Sequence, residues 1–178
     1  MPTTPTYGFP YPALSDAPDG PSQIAALANA LETKIAAMDA ILNAQITNRF
    51  MGSSAPGTDQ VIGITEAICD EKVTFNAVAG HRFLIEHTVD YAWTGAGPTA
   101  STWNFRYAAG ASLTTSGTLI QTYLGPPPTG AHMTYTKHTV FTAPSTGQFT
   151  VGLGAFTNGG SSMRLYGNSK RLTVVNIT

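Results

Sequence analysis

The chain has 178 residues, a formal net charge of -1 and only 11% charged residues, against about 25% in an ordinary soluble domain. That length allows one compact core with an appendage, and the neutral balance excludes a whole-chain signal for nucleic acid or anionic membrane. A single cysteine, Cys69, excludes an intrachain disulfide framework, and no apolar run approaches the ~18 residues of a membrane span.

Residues 1–21 hold six of the twelve prolines and three aromatics. Each proline fixes its own φ and drives its predecessor toward extended geometry, so a polyproline-like arm reaching about 3.1 Å per residue is expected. Within it Tyr7, Phe9, Pro10, Tyr11 and Pro12 alternate rings with prolines, a low-entropy apolar ribbon suited to a groove on a partner. A disordered tail is the competing reading of the same composition.

A helix is expected over 22–48, opened by Asp19-Gly20-Pro21, where the proline lacks only an N–H that would be unpaired anyway. With Ile24 at heptad position d, the core positions are Ile24, Ala28, Leu31, Ile35, Met38, Leu42 and Gln45, a coiled-coil seam three heptads long. Lys34 then falls at g and Asp39 at e, the offset at which neighbouring parallel helices exchange a salt bridge. Leu27 and Ile41, also at g, widen the stripe, which favours three strands over two. The same alanine-rich helix also fits a second use, as an amphipathic cover on its own β-domain.

Residues 49–60, with Gly52, Ser53, Ser54, Pro56 and Gly57, read as a linker. From 61 to 178 the pattern has period two. Strands are expected at Lys72–Val78, Arg82–Trp93, Ser101–Ala108, Thr118–Leu124, Met133–Ala143, Gln148–Phe156, Ser162–Tyr166 and Arg171–Ile177, and Val61–Ile68 adds a ninth. No second helix offers a βαβ crossover. The fold class is therefore mainly β: an extended arm, a short coiled-coil stalk and an antiparallel β-sandwich or jelly-roll head.

The stretch Tyr7-Gly8-Phe9-Pro10-Tyr11-Pro12, with Asp16-Ala17-Pro18-Asp19-Gly20-Pro21 and Ile24-Ala25-Ala26-Leu27-Ala28, resembles the N-terminus of tail- and head-associated proteins from phages of actinobacteria. The run Phe141-Thr142-Ala143-Pro144-Ser145-Thr146-Gly147-Gln148-Phe149-Thr150-Val151-Gly152-Leu153, closed by Leu172-Thr173-Val174-Val175-Asn176-Ile177, resembles their jelly-roll heads, which are similar to the trimeric tumour-necrosis-factor fold. The resemblance implies a homotrimer on the virion surface, fixed by its N-terminus to a capsid or tail protein, as a capsid decoration, head fibre or minor tail protein. A tail adhesin for a host cell-surface glycan is the alternative, and a cell-wall glycan hydrolase a remote one. The absence of a signal-peptide pattern fits synthesis in the host bacterial cytoplasm.

Chemical signatures are sparse, and no catalytic residue, cofactor or metal is assigned. Glu86 and Asp90 share a strand face but stand roughly 13 Å apart at ~3.3 Å per residue, too far for a glycosidase pair unaided. Glu66, Asp70 and Glu71 are other carboxylates that the fold could bring near them. His81 with His87, and His132 with His138, are each six residues apart, about 20 Å along a strand, so neither pair chelates an ion alone. His87, in register with Phe83, Ile85 and Val89, reads as a hydrogen-bonded core or interface histidine. Tyr91, Trp93, Trp103, Tyr107, Tyr123, Tyr135 and Tyr166 include candidates for a sugar-stacking platform. All ten carboxylates lie at or before Asp90, while residues 91–178 carry Arg106, Lys137, Arg164, Lys170 and Arg171, so strands from the two halves are expected to neutralise each other.

Overall fold

A computed structural model describes residues 3–4, 6–11, 20–94, 100–125, 132–159 and 161–178, with the side chains of 43–48 and 94 outside the description. The chain forms two compact units, Met1–Asn48 and Arg49–Thr178.

In the first unit, helix α1 runs Gly20–Arg49, 30 residues or about 45 Å of axis. It starts where the glycine-proline pair allows and ends on a basic residue, Arg49, which complements the carbonyl end of the helix dipole. The arm ahead of it departs from the expected extended run. Gly8 adopts φ +69°, open to glycine at little cost, and the chain turns so that Thr3 and Pro10 form an antiparallel bridge. The Thr4 N–H donates to the Phe9 carbonyl at 2.9 Å, the Gly8 N–H to the Thr4 carbonyl at 2.9 Å, and the Phe9 N–H to Thr4 Oγ1 at 3.0 Å. Thr3, Thr4 and residues 6–10 thus outline a closed hook, because one glycine supplies the turn that the prolines alone would not. Pro12 lies outside the described residues.

Among the described residues the second unit is a two-sheet antiparallel sandwich of ten strands: β1 Phe50–Ser54, β2 Gln60–Ile62, β3 Ala67–Ala77, β4 Arg82–Thr94, β5 Ala100–Ala109, β6 Thr118–Gly125, β7 Met133–Thr142, β8 Gly147–Asn158, β9 Ser162–Leu165 and β10 Arg171–Asn176. One sheet is ordered β3-β8-β5-β6. The other is ordered β1-β10-β4-β9-β2, with β7 along the free edge of β4. The eight clear strands read from the sequence are all present. Two readings need correction. Val61–Ile68 is not one strand: after Ile62 the chain leaves β9 and enters β3 of the opposite sheet at Ala67. Nor is 49–60 wholly linker, since β1 pairs with β10 from Phe50↔Val175 to Ser54↔Leu172. The extra residue of a bulge between Phe50 and Gly52 hides the alternation there.

Between the sheets, Phe75 and Phe149 from one face Phe83 and Phe141 from the other, with the Phe75 and Phe83 ring centroids 4.7 Å apart. Farther along the core, Trp103 packs edge-on to Tyr91 at 5.5 Å. These rings are all at most 6% exposed, so the head has an interdigitated core of its own.

Candidate assembly and docking surface

Along α1 every large apolar side chain among the described residues is exposed. Ile24, Leu31, Ile35, Met38 and Leu42, the predicted seam, are 47–70% exposed, and the flanking Leu27 and Ile41 are exposed as well. Burying a side chain of this size is worth ~1.5–3 kcal/mol, so on the order of 10 kcal/mol of apolar burial per chain is left unrealised. Lys34 and Asp39 are exposed beside this stripe, and neither makes an ion pair among the described residues. Such an arrangement can do one thing well: pack against another apolar surface of matching length.

The arm residues fall beside the same stripe. Tyr7 and Phe9 stack with ring centroids 6.0 Å apart and border a groove of about 470 Å³ with Leu31, Lys34, Ile35, Ala37, Met38 and Ile41. Pro10 and Tyr11 border a second recess with Ile24 and Leu27. Tyr7 and Tyr11 remain 64% and 47% exposed, while Phe9 and Pro10 are half-buried. The residues read separately as docking arm and as stalk are therefore adjacent in one unit.

The head carries chemistry that the strand reading passed over. Glu71 from β3 points into the core and accepts a 2.7 Å hydrogen bond from His87 Nε2 on β4, and both are fully buried. Lys137, the register partner of His87 on β7, lies 3.7 Å over the Trp103 ring and 4.0 Å over Tyr135, and Nζ finds no hydrogen-bond partner among the described residues. Lys170 Nζ reaches Asp70 at 3.2 Å and Glu71 at 3.6 Å. Burial lowers the Lys137 amine to about 7. Burial also lowers His87, against the pull of its hydrogen bond to Glu71. Burial would raise Glu71, but the hydrogen bond and charge of His87, with Lys170, hold it below the usual carboxylate range. Cys69, in the same core, is pushed up by burial and by the Glu71 charge. Each of these groups except Asp70 is at most 2% exposed, so a substrate could meet them only if the sandwich opened.

A signal for this cluster does exist in the sequence. Lys137 and Glu71 occupy inward positions of the period-two pattern, Lys137 between Tyr135 and Thr139 and Glu71 between Cys69 and Val73. A charge on the core face of a strand marks a buried ion, and that alternation was already visible.

On the surface, acids of the first half pair with bases of the second, as the charge asymmetry implies. Arg106 grips Glu66 through two parallel hydrogen bonds of 2.8 and 2.9 Å, and Asn104 Nδ2 adds a third at 3.1 Å. Burial pushes Glu66 up, but these hydrogen bonds and the Arg106 charge hold it low. Gly154 makes that grip possible, since a Cβ there would lie 1.9 Å from Glu66 Oε1. Asp59 pairs with Arg164 at 2.6 Å, and His132 Nδ1 meets Asp90 Oδ2 at 3.1 Å. The four histidines do not converge: His81 is half-buried in the turn ahead of β4, His87 is in the core, His132 stacks on Tyr166 at 4.0 Å, and His138 is exposed opposite Glu86. No group of three or more His, Cys, Asp or Glu among the described residues is placed to hold a metal ion. Of the aromatics considered for sugar stacking, Tyr91, Trp93 and Trp103 are core; Tyr107, Tyr123, Tyr135 and Tyr166 are half-buried, and His132 covers a face of Tyr166.

No protein-family model and no curated protein matches the chain at the sequence level. Among solved structures, the tumour-necrosis-factor protein Eiger of S. frugiperda matches with TM-score 0.50 and 6% identity, over 73% of this chain and 94% of that one. A chain of infectious bursal disease virus, Gx strain, matches at TM-score 0.37 and 13% identity over 72% of this chain and 29% of that one. The enzymatically active domain of tailspike protein 4 of bacteriophage CBA120 matches at TM-score 0.30 and 8% identity, over 74% and 20%. The first likeness establishes a tumour-necrosis-factor-like β-sandwich fold for the head; the other two scores are too low to bear on it. Among the described residues no helix is long and apolar enough to cross a membrane.

Proposed function

We propose that the chain is a non-enzymatic structural protein of a bacteriophage particle, a homotrimer joined along α1, anchored by its N-terminal arm to a capsid or tail protein and displaying the β-sandwich at the virion surface. One observation carries the proposal: seven large apolar side chains, spaced as a heptad stripe, lie exposed on the helix of the first unit. A seam of this kind is satisfied by copies of itself, with Lys34 of one helix beside Asp39 of the next. The low charge of the whole chain fits a surface largely covered in an assembly. Three arms leaving one axis engage equivalent grooves together, so weak single contacts combine through effective concentration.

The test is a count of the chain in purified particles of the phage whose genome encodes it, with and without the Tyr11→Ala substitution. The proposal expects a copy number divisible by three, head epitopes accessible on intact particles, and a reduced count for the variant at an unchanged head melting temperature. Absence of the chain from particles would contradict it, as would specific binding of the isolated head to host cell wall by a chain that never enters particles, which is the behaviour of a free adhesin.

A further inference from the structure

We propose that the hook Tyr7-Gly8-Phe9 is an intersubunit clasp, in which the two rings of each arm close over the flank of the neighbouring copy's helix. The inference rests on the trimeric reading above and adds to it the partner of the groove beside the hook. That groove is lined by Leu31, Ile35 and Met38 at core positions and by Lys34 and Ile41 at g, so the hook sits on one side of the seam only. In a parallel coiled coil the g side of one helix faces the e side of the next. The facing side of a second copy carries Glu32 and Asp39 at e with Ala36 between them at b, two carboxylates and a gap where a methyl leaves room for an aromatic ring.

Charge complements the shape. Lys34 forms part of the groove wall, and neither it nor Glu32 nor Asp39 makes an ion pair among the described residues. The hook is also pre-formed: three hydrogen bonds within Thr4–Phe9 and the left-handed Gly8 hold the rings in place, so docking loses little conformational freedom. Tyr7 is 64% exposed on its own helix, which leaves one face of the clasp for the neighbour.

A full-length chain carrying Tyr7→Cys and Ala36→Cys tests this by mild oxidation at low concentration. Ala36 is not among the residues lining the groove of its own helix, and Cys69 is buried, so disulfides should join different chains. The clasp predicts covalent dimers and trimers on a non-reducing denaturing gel. In parallel, Tyr7→Ala with Phe9→Ala should raise the dissociation constant of the trimer at least about a hundredfold, as expected for losing two buried rings. A wild-type trimer with no interchain disulfide and an unchanged dissociation constant for the alanine variant overturns the clasp alone. A monomeric wild type overturns the trimeric reading itself, and the clasp with it.

Discussion

Along α1 the apolar side chains from Ile24 to Leu42 lie outside, whereas in the head the charges of Glu71, Lys137 and Lys170 lie inside. The helix leaves apolar side chains exposed that burial would stabilise. The head has accepted buried ions that a purely apolar core would not need, and it holds them with the His87 hydrogen bond, two ring faces and Asp70. One unit therefore carries apolar surface that the proposed trimer would cover; the other holds its own core, with titratable groups inside it.

The comparison breaks most sharply at the seam. In the proposed trimer Ile35→Asp puts three carboxylates around one axis, and dissociation to monomers is expected, seen as a threefold fall in mass by light scattering while near-ultraviolet circular dichroism of the head is unchanged. Next in size is Glu71→Ala. It leaves His87 without its buried acceptor and Lys170 without its buried counter-charge, with Asp70 alone beside the amine, and a loss of about 3–5 kcal/mol of head stability is expected from denaturant unfolding followed by tryptophan fluorescence. Both tryptophans, Trp93 and Trp103, lie in the head, so that signal reports on it alone.

Lys137→Met tests the opposite sign. Removing an amine without a hydrogen-bond acceptor and keeping its packing should stabilise the head by on the order of 1–4 kcal/mol at pH 7. The pH dependence follows from the lowered amine, at about 7 in the folded head. Between there and the usual lysine value the unfolded chain holds a proton that the folded chain has lost, so wild-type stability should rise as pH is raised from 7 toward 10. The methionine variant should lack that rise. On the acid side, lowered His87 and Glu71 mean that stability falls as pH drops below 6.5 and falls further below 4.5, in wild type and variant alike. The smallest effect is expected at Arg164→Ala, whose pair with Asp59 is solvent-exposed, with no resolved change in the unfolding midpoint.

Most of the head was legible because its strands are half-buried, so alternation alone marks them; the long β3, β4 and β7 are clear examples. β1 was not, since Gly52, Ser53 and Ser54 carry turn chemistry and a bulge breaks the period. β8 is buried on both faces, where Gly152 and Gly154 leave space for Leu113 and Glu66, yet its length and apolar content still mark it as a strand. In the arm, six prolines outweighed one glycine in the reading, while in the structure the single left-handed Gly8 sets the direction of the chain. The heptad of α1 was readable residue by residue. Its proximity to Tyr7 and Phe9 was not, because that contact depends on a turn of three residues and not on any period.

Sedimentation equilibrium of the full-length chain across a hundredfold range of concentration tests the exposed seam most directly. A species of three times the 18.7 kDa chain mass, dissociating only on dilution, is the predicted result. A monomer at every concentration would mean that the stripe from Ile24 to Leu42 serves no copy of itself, and would contradict the account.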